Sequence, residues 1–277
     1  MNFCFIVTTC IKNQIHSNQL IRCLNSIQKY HQNCIIYLIN DSDSCYDVFF
    51  NDLINTMNNI KLIPSYNKGC GEQQIFKFIL DCDDINMNDN VVYLHDSVIL
   101  RRELDNVSDI DTIKFIWHFT NHRLHWDTII EERTPYNVDN NIVTHSDLII
   151  HYLIKYFNTN TDFLNYSLYM MQNKNKWVGC MGYKCIINKK CLIEMNKSLN
   201  FADIFLNFNT RRERIVNESI FSIICHYLFP NTKFEDSYGG LFYDGITDNS
   251  GARKDVGFDN LILLGENKYI QKISFNR

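Results

Sequence analysis

Four apolar runs divide the first hundred residues: "FCFIVTTC" (Phe3 to Cys10), "CIIYLIND" (Cys34 to Asp41), "IKLIPSY" (Ile60 to Tyr66) and "VVYLHDSVIL" (Val91 to Leu100). Each reads as a β-strand, and a helical pattern lies between each pair. In "SNQLIRCLNSIQKYH", Leu20, Leu24 and Ile27 recur at helical spacing behind Ser17, an N-cap candidate. "CYDVFFNDLINTM" and "GEQQIFKFILDC" supply the other two helices. Strand, helix, strand at this rhythm predicts a parallel sheet joined by right-handed crossovers.

The second half is less regular. "DTIKFIWHF" reads as a strand, and "VTHSDLIIHYLIKYFNT" as a helix with Ile149, Leu153 and Tyr156 on one face. "WVGCMGYKCIINKKCLIEM" reads as a loop, a strand and a helix start, and "RIVNESIFSIICHYLF" as a buried helix. From Lys233 to Arg277 the pattern is of short strands and glycine-bearing turns. With no Pro- or Ser-rich linker, internal repeat or low-complexity tract, the expectation is one domain over residues 1–277. Its fold class is α/β, a mostly parallel Rossmann-type sheet flanked by helices. Residues 1–105 form the regular half and 106–277 the irregular one.

Composition narrows the function classes. At 277 residues, 45% hydrophobic and 13% aromatic, the chain can bury a substantial core. A formal net charge of −4 and no long basic stripe exclude a general nucleic-acid surface, which needs clustered Lys and Arg against phosphate. The eleven cysteines are scattered, with no CxxC pair, and their odd count cannot be fully paired within one chain. Cys4, Cys10, Cys34 and Cys225 sit in apolar runs, where a free thiol behaves as a small hydrophobe. A reducing, cytoplasmic location is the expectation. Met1 leads into "FCFIVTTC" with no basic n-region, and the run is too short to span a bilayer, so it reads as a strand, with no transmembrane segment expected.

Parallel sheets bind ligands beyond the carboxyl ends of their strands. Here those ends carry Thr8, Thr9 and Asn13; Asn40, Asp41 and Asp43; Asn67, Lys68 and Gly69; and His95, Asp96 and Ser97. Two readings stand: one convergent ligand site, or the ordinary polarity of loops. Asp41 is suited to a ribose hydroxyl or base edge, and equally to an N-cap or Asx-turn. The glycines of "NKGCGEQQ" allow close backbone approach ahead of a helix N-terminus, without matching Walker A or GxGxxG.

A fourth parallel strand ending "LHDSVIL" resembles the strand of GT-A fold nucleotide-sugar glycosyltransferases, where an apolar run precedes D-x-D. "FIVTTCIKN", "LINDSD", "NKGCGEQQ", "WVGCMGYKCIINKKCL" and "VNESIFSIICHYL" are similar to that family's further segments in order. The resemblance implies transfer of a sugar from a nucleotide-diphosphate donor to a hydroxyl of a glycan or protein, with inversion. It implies nucleotide contacts from Thr8, Thr9, Asp41, Asn67, Gly69 and Asp96, and a Mn²⁺ or Mg²⁺ site at His95, Asp96 and Ser97. In this sequence His95 and Ser97 stand at the two acidic positions, with Asp96 between them. Glu218 is implied as the base that takes the acceptor proton, with Glu213 in reserve. Arg211, Arg212 and Arg214 are candidates for the diphosphate. The free cysteines and the Asn-, Ile- and Lys-rich composition would suit a cytoplasmic enzyme such as one of a large DNA virus.

Two alternatives accompany it. "WHFTNHRLHWD" spaces His118, His122 and His125 as a helix would need for a transition metal, which would make a metal-dependent hydrolase. Its β-like start opposes that, and Trp117 and Trp126 suit a sugar face or core packing. The other is a silent relative that binds a nucleotide or glycan without transfer.

Overall fold

The computed structural model describes residues 3–66, 68–69, 71–116, 118–120, 137–138, 141–142, 144–208, 210–234 and 270–272. The four apolar runs give β1 (Phe3–Thr9), β2 (Ile36–Asn40), β3 (Ile60–Pro64) and β4 (Asn90–His95). Between them lie α1 (Gln14–Tyr30), α2 (Asp47–Thr56) and α3 (Ile75–Asp81). The strands pair in parallel, in the order β3-β2-β1-β4. The strand expected over residues 91–100 is two: the chain turns at Asp96 and Ser97 and leaves the sheet as β5 (Val98–Leu100).

The "DTIKFIWHF" strand is also divided, into β6 (Ile113–Phe115) and β7 (His118–Thr120). A small hairpin of β8 (Asn137–Val138) and β9 (Asn141–Ile142) precedes α4 (His145–Phe157) and α5 (Thr161–Gln172). There follow β10 (Val178–Cys180), β11 (Cys185–Asn188), α6 (Lys189–Leu199), α7 (Phe201–Phe205), α8 (Arg211–Leu228) and β12 (Ile270–Lys272). β11 inserts antiparallel between β4 and β6, completing a six-stranded sheet in the order β3-β2-β1-β4-β11-β6. β7 pairs with β10, and β12 with β5, both antiparallel. A mixed α/β fold with a mostly parallel sheet flanked by helices is thus the observed class, as the sequence predicts.

Both faces of the sheet are covered, which is why its strands read as unbroken apolar runs. Cys4 and Ile6 of β1, with Val91 and Tyr93 of β4, face the core built with α3, α4, α5, α6 and α8. Phe5 and Val7, with Val92 and Leu94, face the core built with α1 and α2. In the first core Phe76 lies 4.6 Å from a stacked Phe221 and 5.4–5.9 Å from Phe201, Tyr183 and Phe205, edge-on.

Two local expectations change. Asn13, not Ser17, caps α1: its side chain accepts from the His16 N–H at 3.1 Å, from an extended backbone. Ser17 lies inside the helix and donates to the Gln14 carbonyl, the local bond that a mid-helix serine offers. Cys10 is exposed, because β1 ends at Thr9 and its thiol falls outside the sheet. Cys4, Cys23, Cys180, Cys185, Cys191 and Cys225 are buried free thiols, and burial pushes Cys4 and Cys23 far above the ordinary thiol range. Among the described residues no helix is long and apolar enough to cross a membrane.

Candidate active site

The chain moves from β1 to β2 and β3 on one side and returns to β4 on the other, so the sheet order reverses between β1 and β4. A parallel sheet opens a crevice at the carboxyl ends of two such strands. There the Thr9 hydroxyl donates to Asp96 Oδ2 at 2.8 Å, and the Thr8 and Tyr93 hydroxyls share a hydrogen bond of 2.8 Å. Strand alternation sorts these pairs. Thr9 and Asp96 continue the α1 side, whereas Thr8, Tyr93 and His95 continue the α3 side. Thr8, Thr9 and Asp96 are 6%, 3% and 7% exposed, so they lie beneath the strand ends and not at the surface.

The rim on the β2 side is made by Asp41. Its Oδ1 accepts the Gly69 N–H at 2.8 Å, which ties the loop after β3 to the end of β2. Gly69 has φ +85°, a left-handed backbone that glycine adopts at no steric cost. The Ser42 hydroxyl accepts the Ile11 N–H at 2.7 Å, joining the loops after β1 and β2. Lys68 pairs with Asp43, both exposed. Asn67 lies outside the described residues.

On the α3 side the site gains residues that the sequence did not single out. Between β10 and β11, Gly182 and Tyr183 adopt successive left-handed conformations, φ 57° and 54°. A left-handed tyrosine costs roughly 1–2 kcal/mol and is held here by a fully buried ring among Phe76, Phe205 and Phe221. This bend turns Lys184 inward, 1% exposed. A methyl group on Gly182 would overlap Lys184 Nζ and fall 2.8 Å from His95 Cε1. His95 Nε2 lies 3.1 Å from the Gly182 carbonyl oxygen and 3.7 Å from Glu72 Oε1. Burial lowers Lys184 to about 8, while Glu72 and then Glu218 favour its charged form. Burial, then Glu218 and Glu72, keep the Tyr183 phenol protonated.

Glu218 lies two turns into α8, not at its start, because the helix begins at Arg211. The first-turn carboxylate is Glu213, which closes a capping box with Thr210 and accepts the Tyr152 hydroxyl at 2.6 Å. Half-buried Glu218 is left to act electrostatically on Tyr183 and Lys184. Its backbone is fixed by Ser222, whose hydroxyl donates to the Glu218 carbonyl at 2.6 Å and accepts the Cys180 N–H at 2.7 Å. Next to Glu72 and Glu218 in the chain, the side-chain amides of Gln73 and Asn217 are buried with no hydrogen-bond partner among the described residues, as is the Tyr183 hydroxyl. Buried polar atoms of this kind mark places where a ligand or water completes the bonding. Half-buried Arg214 also acts on Tyr183, whereas the side chains of Arg211 and Arg212 are outside the described set.

His95, Asp96 and Ser97 do not fit a divalent cation as a set. His95 and Asp96 leave β4 on opposite faces, the Asp96 carboxylate is engaged by Thr9, and Ser97 lies in the turn to β5. Among the described residues no three His, Cys, Asp or Glu side chains are grouped to hold a metal ion. Of the histidine motif only the His118 backbone, in β7, is described; His122, His125, Trp117 and Trp126 lie outside.

Replacing Gly182 by Ala is expected to lower stability by about 1–3 kcal/mol, from left-handed strain and the overlap with Lys184 and His95. Urea denaturation checks this; an unchanged midpoint would show that the two side chains move aside freely.

The fold and site define an α/β protein with a cluster of polar side chains at a topological switch point. No protein-family model matches the chain, and no curated protein sequence does. Among solved structures it is similar to residues 1–349 of S. aureus TarS in complex with UDP, at 13% identity over 78% of this chain and 54% of that one, TM-score 0.38. It is similar to the WbbM bifunctional glycosyltransferase at 10% identity over 97% and 45%, TM-score 0.45. With mouse xyloside xylosyltransferase 1 it shares 7% identity over 83% of each chain, TM-score 0.40. The chain spans about half the length of the first two. Likeness at this level carries no residue role from one chain to another.

Proposed function

We propose that this protein is a glycosyltransferase that moves a sugar from a nucleotide-diphosphate donor to a hydroxyl acceptor. The observation that carries the reading is the switch point between β1 and β4, where the Thr9–Asp96 and Thr8–Tyr93 pairs lie at the carboxyl ends of the strands. In this reading Asp41 and Gly69 meet the nucleoside at the rim, with Thr8, Thr9 and Asp96 beneath it. The diphosphate lies toward the end of β4, and the acceptor enters from the side built by residues 106–277. Glu218 takes the acceptor proton as that oxygen attacks the anomeric carbon from the face opposite the diphosphate. The bond to the diphosphate breaks and its electron pair leaves with the phosphate oxygen, which inverts the anomeric centre. The buried free thiols suit a reducing compartment.

A thermal-shift screen against UDP, GDP, CMP and UDP-sugars tests the binding half. A ligand at about 100 times its Kd adds about 2.7 kcal/mol, which for a chain of this size is a rise of roughly 5–10 °C. One nucleotide class is expected to give it. No shift with any of them would end the transferase reading. A shift without turnover would favour the second reading, a silent nucleotide- or glycan-binding relative, to which the parting of His95 and Asp96 to opposite faces points.

A further inference from the structure

The most heavily buried charge in the site is a cation, and it stands beside the place where the sequence led us to expect a metal ion. Lys184 is 1% exposed, and its ammonium and the His95 ring crowd the same point above Gly182. His95 in turn lies 3.7 Å from Glu72. An ammonium taken out of water without partners would cost several kcal/mol, and Glu72 is the carboxylate that this cluster brings toward it through His95. Each side of this cluster answers the other.

We propose that Lys184 is the resident cation of this site, its ammonium set beside His95 and Glu72, and that donor binding there requires no divalent ion. The first half concerns the fold alone; the second rests on the transferase reading. Two features of the structure support the assignment. The left-handed Gly182–Tyr183 bend has no side chain at Gly182, and that is what lets the lysine reach His95. The candidate metal ligands are sent to opposite faces of β4, so Lys184 is the charge that the α3 side can use.

Two experiments test it. In the first, Lys184→Met and the double variant Lys184→Met with Glu72→Gln are melted beside the wild type. Removing the cation alone leaves the half-buried Glu72 carboxylate uncompensated and is expected to lower the midpoint by about 5 °C. The double variant removes one carboxylate with it and is expected to recover at least half of that loss. A double variant no more stable than the single one would overturn the pairing. Where Lys184→Met does not fold, a double variant that folds supports the pairing and one that does not overturns it.

In the second, binding of UDP and GDP to the wild type is measured with excess EDTA and with Mn²⁺. Affinities equal within about twofold support metal-free binding, since one lost charge contact would exceed that difference. Binding that needs Mn²⁺ overturns it while leaving the transferase reading intact. No binding under either condition counts against that reading and removes the second half of the proposal with it, while the melting experiment decides the first half independently.

Discussion

Glu218→Gln is expected to lower turnover of a sugar nucleotide by about 100- to 10,000-fold, the range over which a positioned general base contributes. The amide keeps the shape of the side chain and its place on α8, and loses the ability to accept a proton. Nucleotide affinity should change little, because the reading puts Glu218 on the acceptor side. Glu213→Gln is the control. That carboxylate closes the α8 capping box and takes the Tyr152 hydroxyl, so its loss is expected to cost about 1 kcal/mol of stability and leave turnover alone. If both variants turn over like the wild type, the base lies elsewhere, and Glu72, 3.7 Å from His95, is the next residue to replace.

The largest effect on stability is expected from Phe221→Ala. The ring is fully buried, stacks on Phe76 at 4.6 Å and meets Tyr183 at 5.7 Å, and its neighbours Phe201 and Phe205 are held by the same sheet and helices. Truncation leaves a cavity that these rings cannot collapse into, at a cost of about 3–5 kcal/mol. That corresponds to a midpoint roughly 10 °C lower for a chain of this size. Phe221→Leu should lose about half as much, since part of the volume is kept. The same variant loosens the packing that holds Tyr183 left-handed, so nucleotide binding should weaken with it. A stable Phe221→Ala protein with intact binding would show that the site does not lean on this cluster.

Some of the site was legible and some was not, for physical reasons that particular residues show. Thr8, Thr9, Asp41, Gly69, His95 and Asp96 follow the ends of apolar runs, and the α/β rule places such residues beside one another without any knowledge of packing. Glu72 sits in "GEQQ", where an acidic residue before a helix has several ordinary uses. Lys184 left a faint mark, a lysine inside the apolar "WVGCMGYKCIIN", but nothing local says that its ammonium turns inward. The roles of Glu213 and Glu218 separate only once α8 is known to start at Arg211, a boundary set by the Thr210 cap.

By itself the sequence determines the strand–helix alternation, the parallel pairing of β1 to β4 and the polar character of their carboxyl ends, because period and burial are local properties of a chain. Only the tertiary structure decides that β11 runs antiparallel between β4 and β6, and that His95 and Asp96 part to opposite faces. It alone brings Glu72, His95 and Lys184 to one place, from segments more than a hundred residues apart at the extremes. Charges so distant in the chain meet only when the sheet and its two cores have closed.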